Sequence, residues 1–134
     1  MKIEKMVVKN LYCIRFSPGD ELLQGLSDAV KKQGIKNAVI ISGFGSTVNH
    51  HFHVVGTPEI PPENIFVKDD KPSDIINVNG AVINGRVHAH ITHSDTEIAY
   101  GGHLEPGVKA LTFLFVTIVE IDYNLDEWDA AKVF

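Results

Sequence analysis

Apolar positions in this chain follow two periods, one helical and one of strands. Leu22, Leu23, Leu26, Ala29 and Val30 recur at the spacing of one helix face. This predicts a helix opened by Ser17-Pro18-Gly19-Asp20, with Asp20 or Ser17 as cap, and closed at Gly34 after Lys31 and Lys32. A strand is expected before it at 12–16, with a shorter extended segment near 6–8. After the helix, a buried strand at 38–41 runs into a turn, Ser42-Gly43-Phe44-Gly45-Ser46, and another strand follows over 47–55.

Residues 56–72 carry prolines at 58, 61, 62 and 72 and read as an irregular surface excursion, a candidate lid or subunit contact. Beyond it the pattern is entirely of strands: 75–82, the hairpin signal Asn84-Gly85, 86–92, a turn around Ser94-Asp95-Thr96, 97–104, a turn at Glu105-Pro106-Gly107, and a long strand over 111–123. The tail, 125–134, holds the single Trp and an apolar end suited to packing against a neighbour. The expected fold is α/β (α+β): a mainly antiparallel, strongly twisted sheet with one principal N-terminal helix. One domain spans 1–134, with its core at about 12–123.

Composition narrows the function classes. The chain has 134 residues, 44% hydrophobic and 22% charged, ordinary for a globular protein. Its longest apolar stretch, 110–121, is interrupted by Thr112 and Thr117 and falls short of the ~20 residues needed to span a bilayer. No signal peptide is expected at the N-terminus. The lone cysteine, Cys13, excludes an internal disulfide and reads as a buried structural thiol, so a cytoplasmic location is expected. A net charge of −5 and only two arginines, Arg15 and Arg86, argue against a broad nucleic-acid footprint. The glycine turn at 42–46 has neither a P-loop ending nor a dinucleotide glycine pattern.

The candidate chemistry lies in the histidines. His88 and His90, two apart on a predicted strand, share one face at roughly 7 Å between Cα atoms. A hairpin turn centred on Asp95 and Thr96 places His103 opposite His88 and diagonal to His90, so three imidazoles converge. A slip of one residue would turn His103 to the other face. Three neutral imidazoles with one open position describe a catalytic zinc site, although ligand type alone also admits nickel, copper, manganese or iron. The competing reading of such strand histidines is ordinary hydrogen bonding. His51 and His53 share a face with no third ligand evident, so His50, His51 and His53 read as bystanders, and His93, in the turn, as solvated. Arg86, by parity on the face of His88 and His90, is a candidate to hold an anionic group, while Glu105, Glu120 and Glu97 are candidate proton carriers.

Gly43-Phe44-Gly45-Ser46 after a buried strand, His88-x-His90, and Gly101-Gly102-His103-Leu104 followed by Gly107 together resemble the plants-and-prokaryotes-conserved (PPC) domain, over about residues 12–123. The resemblance implies a homotrimer with sites near subunit contacts, and a metal held by His88, His90 and His103. Plant relatives add AT-hook segments for A·T-rich DNA. This chain has no Arg-Gly-Arg-Pro hook and looks like the stand-alone prokaryotic type, often labelled DNA-binding. The architecture is also similar to that of acetolactate decarboxylase, which presents three histidines to zinc, an analogy of fold.

Two functions from different classes follow. One is a metal-binding protein, with zinc the metal its ligand type suggests, that binds or acts on a small molecule. The other is a non-catalytic trimeric module for DNA or protein interaction, with a structural metal. No reaction is assigned by the sequence.

Overall fold

The computed structural model describes residues 1–129. Among the described residues eight strands form one sheet against a single α-helix: β1 (Val8–Phe16), α1 (Leu22–Gln33), β2 (Ala38–Thr47), β3 (His50–Val55), β4 (Asn64–Asp69), β5 (Ser73–Ile83), β6 (Arg86–Ser94), β7 (Ala99–Leu104) and β8 (Ala110–Ile121). The strand order is β1-β8-β2-β5-β6-β7-β3-β4, with every neighbouring pair antiparallel. The expected mainly antiparallel sheet with one helix is what the chain forms.

Leu22, Leu26 and Val30, one turn apart, are the buried stripe of α1. They pack with Phe16, Ile40, Val78, Val82, Ile91, Leu114 and Ile118 on the inner face of the sheet. Each such side chain contributes roughly 1.5–3 kcal/mol by leaving water. Glu21, rather than Asp20 or Ser17, caps the helix: its side chain accepts from the Gln24 N–H. The same carboxylate accepts the Gly107 N–H at 2.6 Å, tying the helix start to the β7–β8 turn. Asp20 instead accepts from the Ser17 N–H at 2.7 Å, closing the turn before the helix. Gly34, at φ +67°, ends it as expected.

Several boundaries differ from the sequence pattern. The glycine segment 42–46 is not a turn but the second half of β2. The register shifts between Ile40 and Ser42, so that Ile41 and Ser42 are both exposed. Gly45 takes φ +142°, where a Cβ would lie 2.1 Å from the Phe113 carbonyl oxygen. The expected strand 47–55 is divided, Thr47 ending β2 and His50 beginning β3. The excursion 56–72 contains an edge strand, β4, paired along its length with β3. Cys13 is exposed, not buried, because it alternates with Tyr12 and Ile14, which pack on the core.

In the tail, Leu125 is buried and Trp128 is 39% exposed. The rest of the expected apolar end, 130–134, lies outside the described residues. Among the described residues no helix is long and apolar enough to cross a membrane.

Candidate functional site

Five strands contribute to one cross-strand row on the outer face, away from α1: Asn79, His90, His103, His53 and Phe66 are successive partners on β5, β6, β7, β3 and β4. His88, two residues before His90, lies in the next row beside Ala81 of β5 and Val39 of β2. Strand alternation therefore aims His53, His88, His90 and His103 at the same side.

The observed hairpin register pairs His103 with His90, not with His88. The Asp95 carboxylate accepts both the Glu97 and the Ile98 N–H, which displaces the turn toward residue 97. This is a two-residue displacement from the expected pairing. Side-chain parity is unchanged, so His103 remains on the face of His88 and His90.

The rings are close. Their centroids are separated by 5.4 Å for His88 and His90, 4.7 Å for His88 and His103, and 5.7 Å for His90 and His103. The two Nε2 atoms of His88 and His90 are 3.4 Å apart. Burial lowers the pKa of His88, helped by neighbouring His103, His90 and Arg86. Burial likewise lowers that of His90, with His103 and His53 adding to the effect. Both imidazoles are thus held neutral near pH 7.

His53, treated as a bystander from sequence, belongs to this group. Its ring stacks on His103 at 4.4 Å, and its Nδ1 lies 2.5 Å from Glu105 Oε1. The same oxygen lies 3.1 Å from His103 Nδ1. Ligand atoms of His53, His103 and Glu105 all lie within 4.8 Å of one another, close enough to hold a metal ion. Parity already put His53 on one face of its strand, but the β3–β7 pairing that brings it to His103 leaves no local signal.

A cavity of about 670 Å³ opens over the group, lined by His53, His88, His90, His103, Arg86, Asp129 and the apolar side chains of Val54, Val55, Pro61 and Pro62. The proline-rich excursion thus supplies one wall. Arg86 is present as expected from parity, with its guanidinium 2.5 Å from Asp129 Oδ2.

The other sequence candidates lie elsewhere. Glu120 is on β8, with two strands between it and β6, and binds Asn10 Nδ2 at 2.9 Å. Glu97 is exposed in the β6–β7 turn. His93 is not solvated. It continues the inward parity of Ala89 and Ile91 and is fully buried, bonded to Ser73 Oγ at 2.9 Å. His50 is also fully buried, beside His93 at 4.3 Å and hydrogen-bonded to the Tyr100 hydroxyl. The Nδ1 of His51 bonds the Pro106 carbonyl at 2.7 Å.

Solved structures share this architecture. A metal-containing protein from Archaeoglobus fulgidus aligns with TM-score 0.81 and 20% identity, over 92% of this chain and 88% of that one. A plant- and prokaryote-conserved protein from Pyrococcus horikoshii aligns with TM-score 0.77 and 24% identity, over 92% and 87%. A candidate DNA-binding protein from Bacteroides thetaiotaomicron aligns with TM-score 0.70 and 20% identity, over 89% and 85%. Among curated proteins no match is found. The sequence itself matches the Plants and Prokaryotes Conserved (PCC) domain over residues 4–122, and the chain belongs to that family.

Proposed function

We propose that this protein binds one divalent metal ion through His88, His90 and His103, at the floor of a pocket that receives a small molecule. The supporting observation is the spacing of the three rings. Imidazoles held tetrahedrally at the usual zinc–nitrogen distance have centroids about 5.2 Å apart and ligand nitrogens about 3.3 Å apart. The three centroid separations of 5.4, 4.7 and 5.7 Å scatter around the first value, and the 3.4 Å between the Nε2 atoms of His88 and His90 matches the second for that pair. A set of imidazole nitrogens in a partly buried site suits zinc. The metal-containing archaeal neighbour has the same fold and agrees with this reading.

A bound zinc would supply Lewis acidity, polarising a carbonyl or lowering the pKa of a coordinated water. The pocket's apolar wall of Val54, Val55, Pro61 and Pro62 would bury the body of a ligand. Arg86, at its rim, would hold an anionic group. The test is metal analysis of the purified protein beside His103→Ala. About one equivalent in the former and background in the latter is expected, whereas background in both would overturn the proposal.

A second reading, a trimer with a structural metal, is favoured by the apolar outer face. Ile41, Phe44 and Ile76 are each about half exposed there, and Val39 lies in the row of His88. A homotrimer that covers these side chains would bring the metal site next to a subunit contact. A water at the fourth metal position favours the small-molecule reading, and a fourth protein ligand favours the structural one. DNA binding is opposed by the net charge of −5.

A further inference from the structure

Glu105 reaches two histidines with one oxygen. Its backbone N–H donates to the His51 carbonyl at 3.0 Å, which prolongs the β7–β3 ladder by one residue. That continuation keeps Glu105 on the face of His103, two positions back, and diagonal to His53 on β3. Its Oε1 then lies 3.1 Å from His103 Nδ1 and 2.5 Å from His53 Nδ1. An ionised carboxylate has no proton to donate. Each of these contacts therefore has the imidazole donate from Nδ1–H, and in the neutral ring the lone pair then lies on Nε2.

We propose that Glu105 is a shared positioning residue that fixes His103 and His53 in the Nδ1–H tautomer, so that both present an Nε2 lone pair to the pocket. For His103 that lone pair is the one available to the metal, and this part rests on the function proposed above. Carboxylates behind metal-bound imidazoles set both tautomer and ring orientation. His53 is held by the same oxygen, and its ring packs against His103 at 4.4 Å, which restrains His103 from its other side. The competing arrangement is a cation held directly by His53, His103 and Glu105, whose ligand atoms lie within 4.8 Å of one another. With the Nδ1 atoms as ligands, that arrangement would need lone pairs where the proposal puts protons.

The experiment compares the parent protein with Glu105→Gln, Glu105→Ala and His53→Phe. Long-range proton–nitrogen spectra of the metal-free proteins read the tautomers, and competition with a chelator reads the zinc affinity. Expected are Nδ1–H rings at His53 and His103 in the parent protein, loss of that preference in Glu105→Ala, and a weakened preference in Glu105→Gln, whose amide oxygen still accepts. Zinc binding should weaken about 10–100-fold in Glu105→Ala and less in Glu105→Gln. His53→Phe should keep the His103 tautomer and bind zinc within a few-fold of the parent. Mixed tautomers in the parent, or unchanged affinity in both Glu105 variants, would overturn the proposal. So would a zinc-induced shift at Nδ1, or loss of binding in His53→Phe, either of which supports the competing cation site. If the parent protein takes up no zinc, the three-histidine metal site fails, and the tautomer comparison alone decides the role of Glu105.

Discussion

His93 has a buried ring nitrogen, Nε2, with no hydrogen-bond partner among the described residues. Its other nitrogen bonds the Ser73 hydroxyl, and Phe52 and His50 pack around the ring. Protonating it would place a charge in this enclosure, so burial, followed by repulsion from His50, lowers its pKa to about 3. Between about pH 6.5 and 3 the unfolded chain takes up a proton that the folded chain refuses. Stability from this residue is therefore complete above about pH 6.5 and falls as the pH drops, by up to about 1.4 kcal/mol per unit. Urea denaturation between pH 4 and 7 should show this slope, and His93→Gln should flatten it. The inward position of His93 was legible in the parity of Ala89 and Ile91. Turn chemistry obscured it, because the two carboxylate contacts that place the turn belong to Asp95, two residues further on. The role of Glu105 was legible only as a candidate acid. Its partners depend on a pairing between β7 and β3, separated by some fifty residues, that no local pattern encodes.

At the level of the strands, Gly101 and Gly102 let β7 lie close between its neighbours. A Cβ at Gly102 would meet the His53 carbonyl oxygen at 2.2 Å, and one at Gly101 would meet the Ile91 carbonyl oxygen at 1.9 Å. Backbone cannot yield as a side chain can, so the strands must part. Gly102→Ala should cost about 1–3 kcal/mol, in the range of other overpacked sites, with part of the proposed metal affinity. A thermal melt and a zinc titration on the same sample check both effects. The sequence shows these glycines and the strand on which they lie, but not which neighbouring carbonyl requires them. The hairpin illustrates the same limit. Alternation specified the face of all three histidines, whereas the register depended on where one aspartate placed the turn. An even displacement kept His103 on the face of His88 and His90, and an odd one would have turned it to the other face.

For the whole molecule, α1 covers one side of the sheet and leaves Val39, Ile41, Phe44 and Ile76 on the other. The proposed trimer would bury that side. Ile41→Arg, combined with Phe44→Ser, should then give a monomer by light scattering, while a protein that is already monomeric before substitution would refute the trimer. The charge balance makes a companion prediction: at about 150 mM salt, a duplex rich in A·T pairs should show no binding in fluorescence anisotropy. The architecture was the most legible level. Helical and strand periods differ clearly along the chain, and the family motifs agreed with them. The β2 segment was not, because glycines that favour a turn here serve a strand crossed closely by β8.

The placement of the four histidines along the chain also implies an order of assembly. His88, His90 and His103 belong to a single hairpin, β6–β7, whose closure is local and of the kind that takes microseconds. His53 and Glu105 meet only when β3 docks on β7, a contact between residues 52 positions apart that pays a larger loop-closure entropy. An ion bound as proposed would thus meet three imidazoles before the carboxylate has both of its rings. The early hairpin would hold it loosely, and the finished sheet would then hold it firmly.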